Sequence, residues 1–298
     1  MTPYQKYLKA YKLYYSSKNW ENRHEIFSLL HEAYSLGCGK AASLLGHVYN
    51  DMEITEVDDK ESKKWFHNAY LLEDGEGLYQ EAYQYLFNYD NDTYFNLIKR
   101  SAEKHYPMGM YVYSLLLLNM HPFESIEWLK RCSKAKYQDA NNLLADFYRY
   151  GKYYQDVDLK LSAKYLLKNE KPLYYLSAFK LGQYYDFGIG IRKNYKKARY
   201  YYQIANEECY NYQANGFIAR HYIYGLGGLK VDKEKGFNLL LDSYHKCLED
   251  KDVISPILYY ELYRCYLKGI GTKKDKKEAS KFLKLWQINT EIINHHGY

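Results

Sequence analysis

The sequence predicts an all-α protein, an α/α superhelix (solenoid) of about eight antiparallel helix pairs. The first observation is a frame that recurs: Leu-Gly, a Tyr three residues after the Gly, and a Gly three residues after the Tyr. The best copy runs from Leu181 to Gly188, and degenerate copies start at Leu144, Ile218 and Leu262. The second observation is the helical spacing of apolar residues, and the third is the scarcity of Pro, with only 5 in 298 residues. A frame that repeats along a chain indicates stacked copies of one small unit.

The second helix of each predicted pair starts its apolar stripe at a small or apolar residue, which we call its anchor. Counted from the anchor, apolar residues follow at +3 and +4, and small or aromatic residues follow at +7 and +8. Ser62, followed by Trp65, Phe66 and Ala69, is a clear example. This spacing forms one stripe on an α-helix, and small residues within it let another helix approach closely. The second-helix anchors are Ile26, Ser62, Tyr94, Ser125, Ala163, Ala198, Gly236 and Ala279.

First helices have their own series of anchors, which runs in step with the second at intervals of 31 to 44 residues. A further first helix is predicted over residues 3–16, with Ala10 at the close-packing position. We therefore expect a single array over 1–298, with capping helices and a first unit in 1–40, seven repeats in 41–288 and a tail in 289–298. The first-helix anchors are Ala41, Gly77, Gly109, Ala140, Ser177, Ala214 and Leu258.

The segment from Gly188 to Tyr201, with its Gly-Ile-Gly turn and Lys-Ala-Arg-Tyr-Tyr, resembles the core of a Sel1-like repeat, a tetratricopeptide-like α-solenoid family. Further copies run from Gly269 to Ala279 and from Gly225 to Gly236, and a fourth lies within 41–69. The resemblance covers most of residues 20–290 and is weakest in 77–135. It implies a right-handed superhelix of helix pairs and a role as an adaptor or scaffold. Some bacterial members of the family act in host interaction.

Composition and charge favour a soluble protein of the cytoplasm. The 42 basic and 36 acidic residues are interspersed, and the formal charge is only +6, so no single-sign tail indicates nucleic acid. No apolar run is long enough to cross a bilayer, and five Cys without a CxxC pattern indicate reduced thiols. A bias toward Lys, Asn, Ile and Tyr resembles coding by an AT-rich genome. It suggests a host-interaction factor of a virus, acting in the host cytoplasm, or of an intracellular microbe.

By analogy with tetratricopeptide grooves, we expect the residues two, six and nine positions after each first-helix anchor to point into the concave face. We expect an apolar stretch of a peptide or protein partner to bind near Tyr79, Tyr83, Tyr111 and Leu115. In one alternative, Leu115 and Leu118 instead pack against neighbouring helices. The polar groove positions are Asn142, Asp146, Arg149, Gln183, Asp186, Arg220 and Arg264. Among them, Asn142 and the three arginines are expected to fix the register of the partner.

The sequence contains no catalytic, metal or cofactor motif that outweighs a structural explanation. His24 and His31 are seven residues apart, not the four of an HExxH zinc motif. His295 and His296 are expected in a loose tail, and the glycines of 225–228 lack the Lys-Ser/Thr of a phosphate loop. The favoured function is a non-enzymatic protein-binding scaffold. RNA binding by helical repeats is the alternative, although acidic residues in the groove disfavour it, and an enzyme or inhibitor that uses the groove as a pocket has no residue support.

Overall fold

The computed structural model describes residues 1–16, 21–52, 54–88, 90–170, 173–209, 211–251 and 254–296. These residues form sixteen α-helices, which follow one another as eight antiparallel pairs. Within the described ranges there is no β-strand, and a single isolated bridge joins Glu170 to Leu173. The all-α repeat fold predicted from the sequence is therefore confirmed.

The chain divides into two compact units, unit 1 (residues 1–140) and unit 2 (residues 141–298). In unit 1 the apolar stripes of the first two pairs meet around Ala10, Ile26 and Leu30, which are fully buried. The helices of unit 1 are α1 (Pro3–Tyr14), α2 (Arg23–Ser35), α3 (Gly39–Val48), α4 (Asp59–Leu71), α5 (Gly75–Phe87), α6 (Asn91–Glu103), α7 (Pro107–Leu117) and α8 (Pro122–Lys134).

The core of unit 2 combines aliphatic and aromatic side chains, and Tyr184, Tyr202 and Phe217 are among its most buried members. Short 3₁₀ turns occupy Leu167–Asn169, Tyr175–Ser177 and Leu226–Gly228. The helix α9, which starts at the end of unit 1, and the helices of unit 2 are α9 (Gln138–Tyr150), α10 (Leu159–Leu166), α11 (Ala178–Phe187), α12 (Tyr195–Cys209), α13 (Gln213–Tyr224), α14 (Lys233–Glu249), α15 (Pro256–Lys268) and α16 (Lys276–His296).

Serine hydroxyls in second helices hold the two helices of a pair together. The serine lies at or next to the predicted anchor, in the first turn or two of its helix, and donates to a backbone carbonyl of the first helix. A buried hydroxyl with such a partner avoids the penalty of an unsatisfied polar group. These bonds join Ser62 to Gly46 at 2.7 Å, Ser125 to Ser114 at 2.7 Å and Ser162 to Ala145 at 2.6 Å.

Glycines in first helices let an aromatic ring of the second helix lie directly on the backbone. A Cβ atom at Gly46 would lie 2.8 Å from the ring of Phe66, and one at Gly182 would lie 2.5 Å from the ring of Tyr202. Both rings stand four residues after their anchors. The Leu-Gly element of the frame is therefore a packing signal, because only glycine leaves room for the ring.

The Gly-x-Gly turns end first helices and also seat them against the preceding pair. Gly188 ends α11 with a left-handed φ of 72°, a conformation that glycine adopts readily. At Gly190, with φ of 67°, an added Cβ would overlap the carbonyl oxygen of Leu159, 1.8 Å away. Gly271 stands in the same relation to the carbonyl oxygen of Lys233, at 2.0 Å. The second glycine thus fits against the start of the preceding second helix.

The structure differs from the sequence prediction mainly at the C-terminus. Helix α16 continues to His296, so the backbone of most of the predicted tail, residues 289–298, is helical. The side chains of His295 and His296 lie outside the described residues, as does Tyr89. The division into two units leaves the single array over 1–298 a prediction.

Candidate functional site

The predicted apolar site of unit 1 starts on α5, where Tyr79 and Tyr83 stand one turn apart. Their hydroxyls are 2.8 Å apart in a hydrogen bond, and their ring centroids are 5.1 Å apart in an edge-to-face arrangement. Tyr79 also contacts Tyr106, at 5.5 Å between centroids. Both rings are half-buried, so each presents one side to solvent while neighbouring phenols hold it in place. Rigid tyrosines of this kind are favoured binding anchors.

Helix α7 supplies Tyr111 and Leu115, again one turn apart. Tyr111 is half-buried beside Tyr137, with ring centroids 5.2 Å apart. Leu115 is 41% exposed, so packing against neighbouring helices does not account for its side chain. Leu118, by contrast, is half-buried at the end of α7. We use the name apolar surface for Tyr79, Tyr83, Tyr111 and Leu115 together.

The polar groove residues lie in unit 2, and the first of them, Asn142, belongs to a buried hydrogen-bonding network. Its Oδ1 accepts from Ser177 Oγ at 2.7 Å and from Asn169 Nδ2 at 3.2 Å. Asn141 donates from Nδ2 to Asn169 Oδ1 at 2.8 Å. The network links α9 to the 3₁₀ turn after α10 and to the start of α11, so it replaces regular helix packing at an irregular junction.

The next polar positions join α9 to α11. Asp146 accepts a hydrogen bond from Lys180 Nζ at 2.6 Å, and both side chains are partly exposed. Arg149 lies over the ring of Tyr184, 5.3 Å from its centroid. Gln183 is half-buried on α11. These contacts run between the first helices of consecutive pairs, which places the polar positions where repeats stack.

A ladder of charges crosses the first helices α11, α13 and α15. Asp186, whose side chain is 1% exposed, accepts at Oδ2 from Arg220 Nη1 at 3.3 Å. Arg220 Nε donates to Glu261 Oε1, also at 3.3 Å. Arg264 Nη1 lies 3.7 Å from Glu261 Oε2. Asp186, Arg220, Glu261 and Arg264 form a continuous chain of ion pairs, which we name the charge ladder.

A histidine and two phenols complete the charge ladder. His221 Nε2 lies 3.1 Å from Asp186 Oδ1, and its side chain is fully buried. Tyr202 donates its hydroxyl to Asp186 at 3.2 Å. Burial raises the pKa of Tyr202, and the charge of Asp186 raises it further. Tyr224 donates its hydroxyl to Glu261. The ladder is therefore a buried network in which both carboxylates are bonded, although the buried Nδ1 of His221 has no hydrogen-bond partner among the described residues. Its bonds stabilise the stacked first helices.

Sequence reasoning identified Asp186, Arg220 and Arg264 but missed Glu261 and His221. It placed the first three in the groove as separate contacts for a partner. The signal that could have joined them is a pattern of alternating charge on successive first helices, at +9, +6 and +3 from their anchors. Glu261 occupies the +3 position, outside the three positions that were assigned to the groove. The predicted role of the polar residues in fixing register stays a prediction.

Potential metal ligands and cysteine thiols are the reactive groups of interest among the described residues. Among the described residues, no three His, Cys, Asp or Glu side chains are placed to hold a metal ion. Burial raises the pKa of the Cys132 thiol to about 12 and that of the Cys265 thiol to about 12, which opposes formation of a nucleophilic thiolate.

Gly225 ends α13 in a left-handed conformation, so the glycines after it form a helix-pair turn. In the part of the chain that the structure describes, every helix is too short or too polar to span a bilayer.

Comparison with known proteins agrees with this architecture. The family model of the Sel1 repeat matches five segments, which together exceed half of the chain: residues 39–74, 138–168, 176–208, 213–241 and 260–286. A search of curated proteins gave no match.

Among solved structures, the chain is similar to a protective antigen of uropathogenic Escherichia coli with an SLR fold. The identity is 17%, the TM-score is 0.60, and the match covers 99% of this chain and 72% of that one. It is also similar to a Sel1 repeat protein from Oxalobacter formigenes, with 15% identity, a TM-score of 0.49 and coverage of 96% and 83%. At these identities the likeness concerns the fold alone. With five repeats matched, the chain belongs to the Sel1 repeat family.

Proposed function

We propose that this protein is a non-enzymatic scaffold that binds a protein partner on the apolar surface of unit 1. The observation that carries the proposal is the exposure of Leu115, at 41%, beside the half-buried ring of Tyr111 on the same helix. Sel1 repeats generally serve protein–protein interaction, so the family supports the same class of function. An extended segment or a helix of the partner would place apolar side chains across α5 and α7.

The energetic argument rests on tyrosines that are already held in place. Tyr79 and Tyr83 are fixed by a shared hydrogen bond, so little side-chain entropy remains to be lost when a partner covers them. Residues of this type dominate the affinity of many interfaces. Leu115 adds apolar area that is removed from water on binding, at about 25 cal/mol per Å².

RNA binding is the weaker alternative. Arg220 and Arg264, two of the three basic residues of the predicted groove in unit 2, are paired with carboxylates. The third, Arg149, lies over the rings of Tyr150 and Tyr184. RNA-binding helical repeats need accessible hydrogen-bonding and basic groups. A binding assay with single-stranded RNA at increasing salt tests this alternative, because phosphate contacts produce a steep salt dependence.

The finer parts of the proposal concern place and context. We place the protein in the cytoplasm, which the free thiols of Cys38, Cys132 and Cys265 support, since reduced cysteines are typical of that compartment. The role as an adaptor, and the hypothesis of a viral or microbial host-interaction factor, depend on the identity of the partner.

The test uses two adjacent leucines of α7 that are similarly exposed, Leu115 at 41% and Leu116 at 37%. Neighbouring helical residues point about 100° apart, so only one of them belongs to the apolar surface. The full chain, Leu115→Asp and Leu116→Asp are used as bait in lysate of the native cell, and the retained proteins are quantified. We expect a partner that is retained by the wild type and Leu116→Asp and lost by Leu115→Asp. Equal retention by both variants, with unchanged circular dichroism, would contradict the proposal.

A further inference from the structure

A pocket of about 370 Å³ lies in unit 1 beside the apolar surface. Its walls come from α1, from one face along α3, from the start of α5, and from the turn that precedes α7. It is connected with the apolar surface through Tyr106, which lines the pocket and contacts the ring of Tyr79. The shape is a concavity large enough for the end of one long side chain.

One wall of the pocket is a stripe of phenol rings on α1. Tyr7 and Tyr11 have centroids 5.9 Å apart, and Tyr11 and Tyr15 have centroids 4.6 Å apart. Tyr11 is 42% exposed and Tyr15 is 65% exposed. Helix α1 packs on unit 1 through the buried Ala10, so packing does not require the outer two rings. Their faces are available to a ligand.

The opposite wall carries two carboxylates, Asp74 and Glu76. Asp74 accepts from Ser43 Oγ at 2.7 Å, and this bond and its backbone cap bonds all use Oδ2. Glu76 is bonded to His47 at 2.8 Å and to Tyr106 at 2.8 Å, in both cases through Oε1. The second oxygen of each carboxylate, Oδ1 or Oε2, takes part in none of these bonds and can accept from a ligand.

The charged side chains at the rim have contacts of their own. Lys104 Nζ lies 3.7 Å from Glu73 Oε2. Lys40 Nζ lies over the ring of Tyr4, 5.7 Å from its centroid, so the tyrosine stripe already takes a cation on its face. Burial raises the pKa of the Tyr7 phenol, and nearby phenols and the two carboxylates raise it further, as expected beside negative charge.

We propose that this pocket binds an arginine side chain of the protein partner, with its guanidinium between the phenol rings of α1 and the carboxylates of Asp74 and Glu76. A planar guanidinium stacks on aromatic faces and donates several hydrogen bonds at once, a combination that suits rings on one wall and carboxylate oxygens on the other. The inference rests on the proposed function, because the arginine belongs to the partner that covers the apolar surface.

The experiment titrates the full chain with N-acetyl-arginine amide and follows the tyrosine ring resonances by NMR. N-acetyl-citrulline amide is the matched probe, since it keeps the shape and lacks the charge. N-acetyl-aspartate amide tests the opposite polarity. We expect saturable binding of the arginine probe alone.

Variants assign the binding to the pocket. Glu76→Gln should weaken binding of the arginine probe about tenfold, because a charged hydrogen-bond acceptor becomes neutral. Glu61→Gln makes the same charge change on a partly exposed residue that pairs with Lys64 outside the pocket, and should have no effect. Tyr11→Leu removes an exposed ring and should weaken binding about threefold without affecting the fold. Lys40→Ala should leave binding of the arginine probe unchanged or tighten it.

Three results would overturn the inference: no saturable binding of the arginine probe, equal binding of the citrulline probe, or unchanged binding in both Glu76→Gln and Tyr11→Leu. Binding of the aspartate probe that Lys40→Ala abolishes would also overturn it, because the pocket would then select anions. Leu115→Asp separates the two proposals, since it should abolish capture of the partner and leave the arginine probe bound. If capture depends on Leu115 but the arginine probe does not bind, only the pocket assignment fails.

Discussion

The first helices of the two units use equivalent positions differently. In unit 1 these positions carry Tyr79, Tyr83, Tyr111 and Leu115, which leave ring faces and a leucine in solvent. In unit 2 many of them carry polar side chains, several of which bond to the next first helix, and Asp186 with Arg220 is the most buried example. Tyr260 and Leu267 are the apolar exceptions in unit 2 that stay exposed, at 38% and 40%. The comparison teaches that a position in a repeat has no fixed role. Its chemistry decides whether it stabilises the stack or remains available to a partner.

The physical basis of the difference is the cost of burial. A carboxylate and a guanidinium that are removed from water must be paired, so Asp186 and Arg220 hold consecutive repeats in one register. A tyrosine ring can be half-buried at little cost, because its hydroxyl keeps a hydrogen bond at the edge. Variants should therefore change stability in unit 2 and binding in unit 1, and four predictions test this division.

The largest effect is expected for Asp186→Ala. The variant removes the carboxylate that contacts the buried His221 and one of the two that pair with Arg220, so the free energy of unfolding should fall by about 3 kcal/mol or more. Asp146→Ala removes a partly exposed ion pair with Lys180 and should lower it by less than about 1 kcal/mol. Urea denaturation of both variants measures the difference. Equal effects would mean that the charge ladder does not stabilise unit 2.

Gly190→Ala should be the next most disruptive change. A methyl group there would overlap the carbonyl oxygen of Leu159 and also occupy a left-handed backbone, so we expect a loss of about 3 kcal/mol. The control is Gly228→Ala, which has a φ of 78° and no atom within 4 Å of the added methyl, and should lose about 1 kcal/mol. Thermal denaturation distinguishes them. Similar losses would show that backbone strain alone, and not the close contact between pairs, matters at this turn.

In unit 1, Tyr111→Leu should change binding more than stability. The half-buried ring contacts Tyr137, so we expect a stability change below about 1 kcal/mol. Capture of the partner should fall about tenfold, as for a tyrosine at the centre of an interface. Affinity capture and urea denaturation of the same preparation measure both. A large loss of stability with unchanged capture would assign Tyr111 to the core of unit 1.

The smallest effect concerns the pH response of His47. Its hydrogen bond to Glu76 raises the pKa of His47 above the ordinary 6.5, although burial opposes the rise. Protonated His47 is therefore favoured in the folded chain. Its contribution to stability should be complete below pH 6.5 and be lost as the pH rises through the raised pKa. An NMR titration of the imidazole should show the pKa falling in Glu76→Gln, whereas an unchanged value would mean that Glu76 does not govern it.

The sequence determined the helix pairs, because its signals are local. Apart from Ser177, which lies in the 3₁₀ turn just before α11, the anchors fall in the first turn or two of the helices, as Ser62 does in α4. The spacing of small and apolar residues follows the helical period, which explains this agreement. Gly188 was identified as a helix end, since a left-handed residue favours glycine wherever it occurs. Such signals need only the chain on either side of them.

Only the tertiary structure decided which polar residues are satisfied within the fold and which remain for a partner. Glu261 meets Arg220 across 41 residues, and Glu76 meets Tyr106 across 30. The tyrosines of α1 face a pocket whose carboxylates lie on α5 and at its start. Distances of this kind depend on how helices stack, and stacking is fixed by the shapes of many side chains together. The sequence predicts each helix, while the partners of its charged groups are set by the packing of its neighbours.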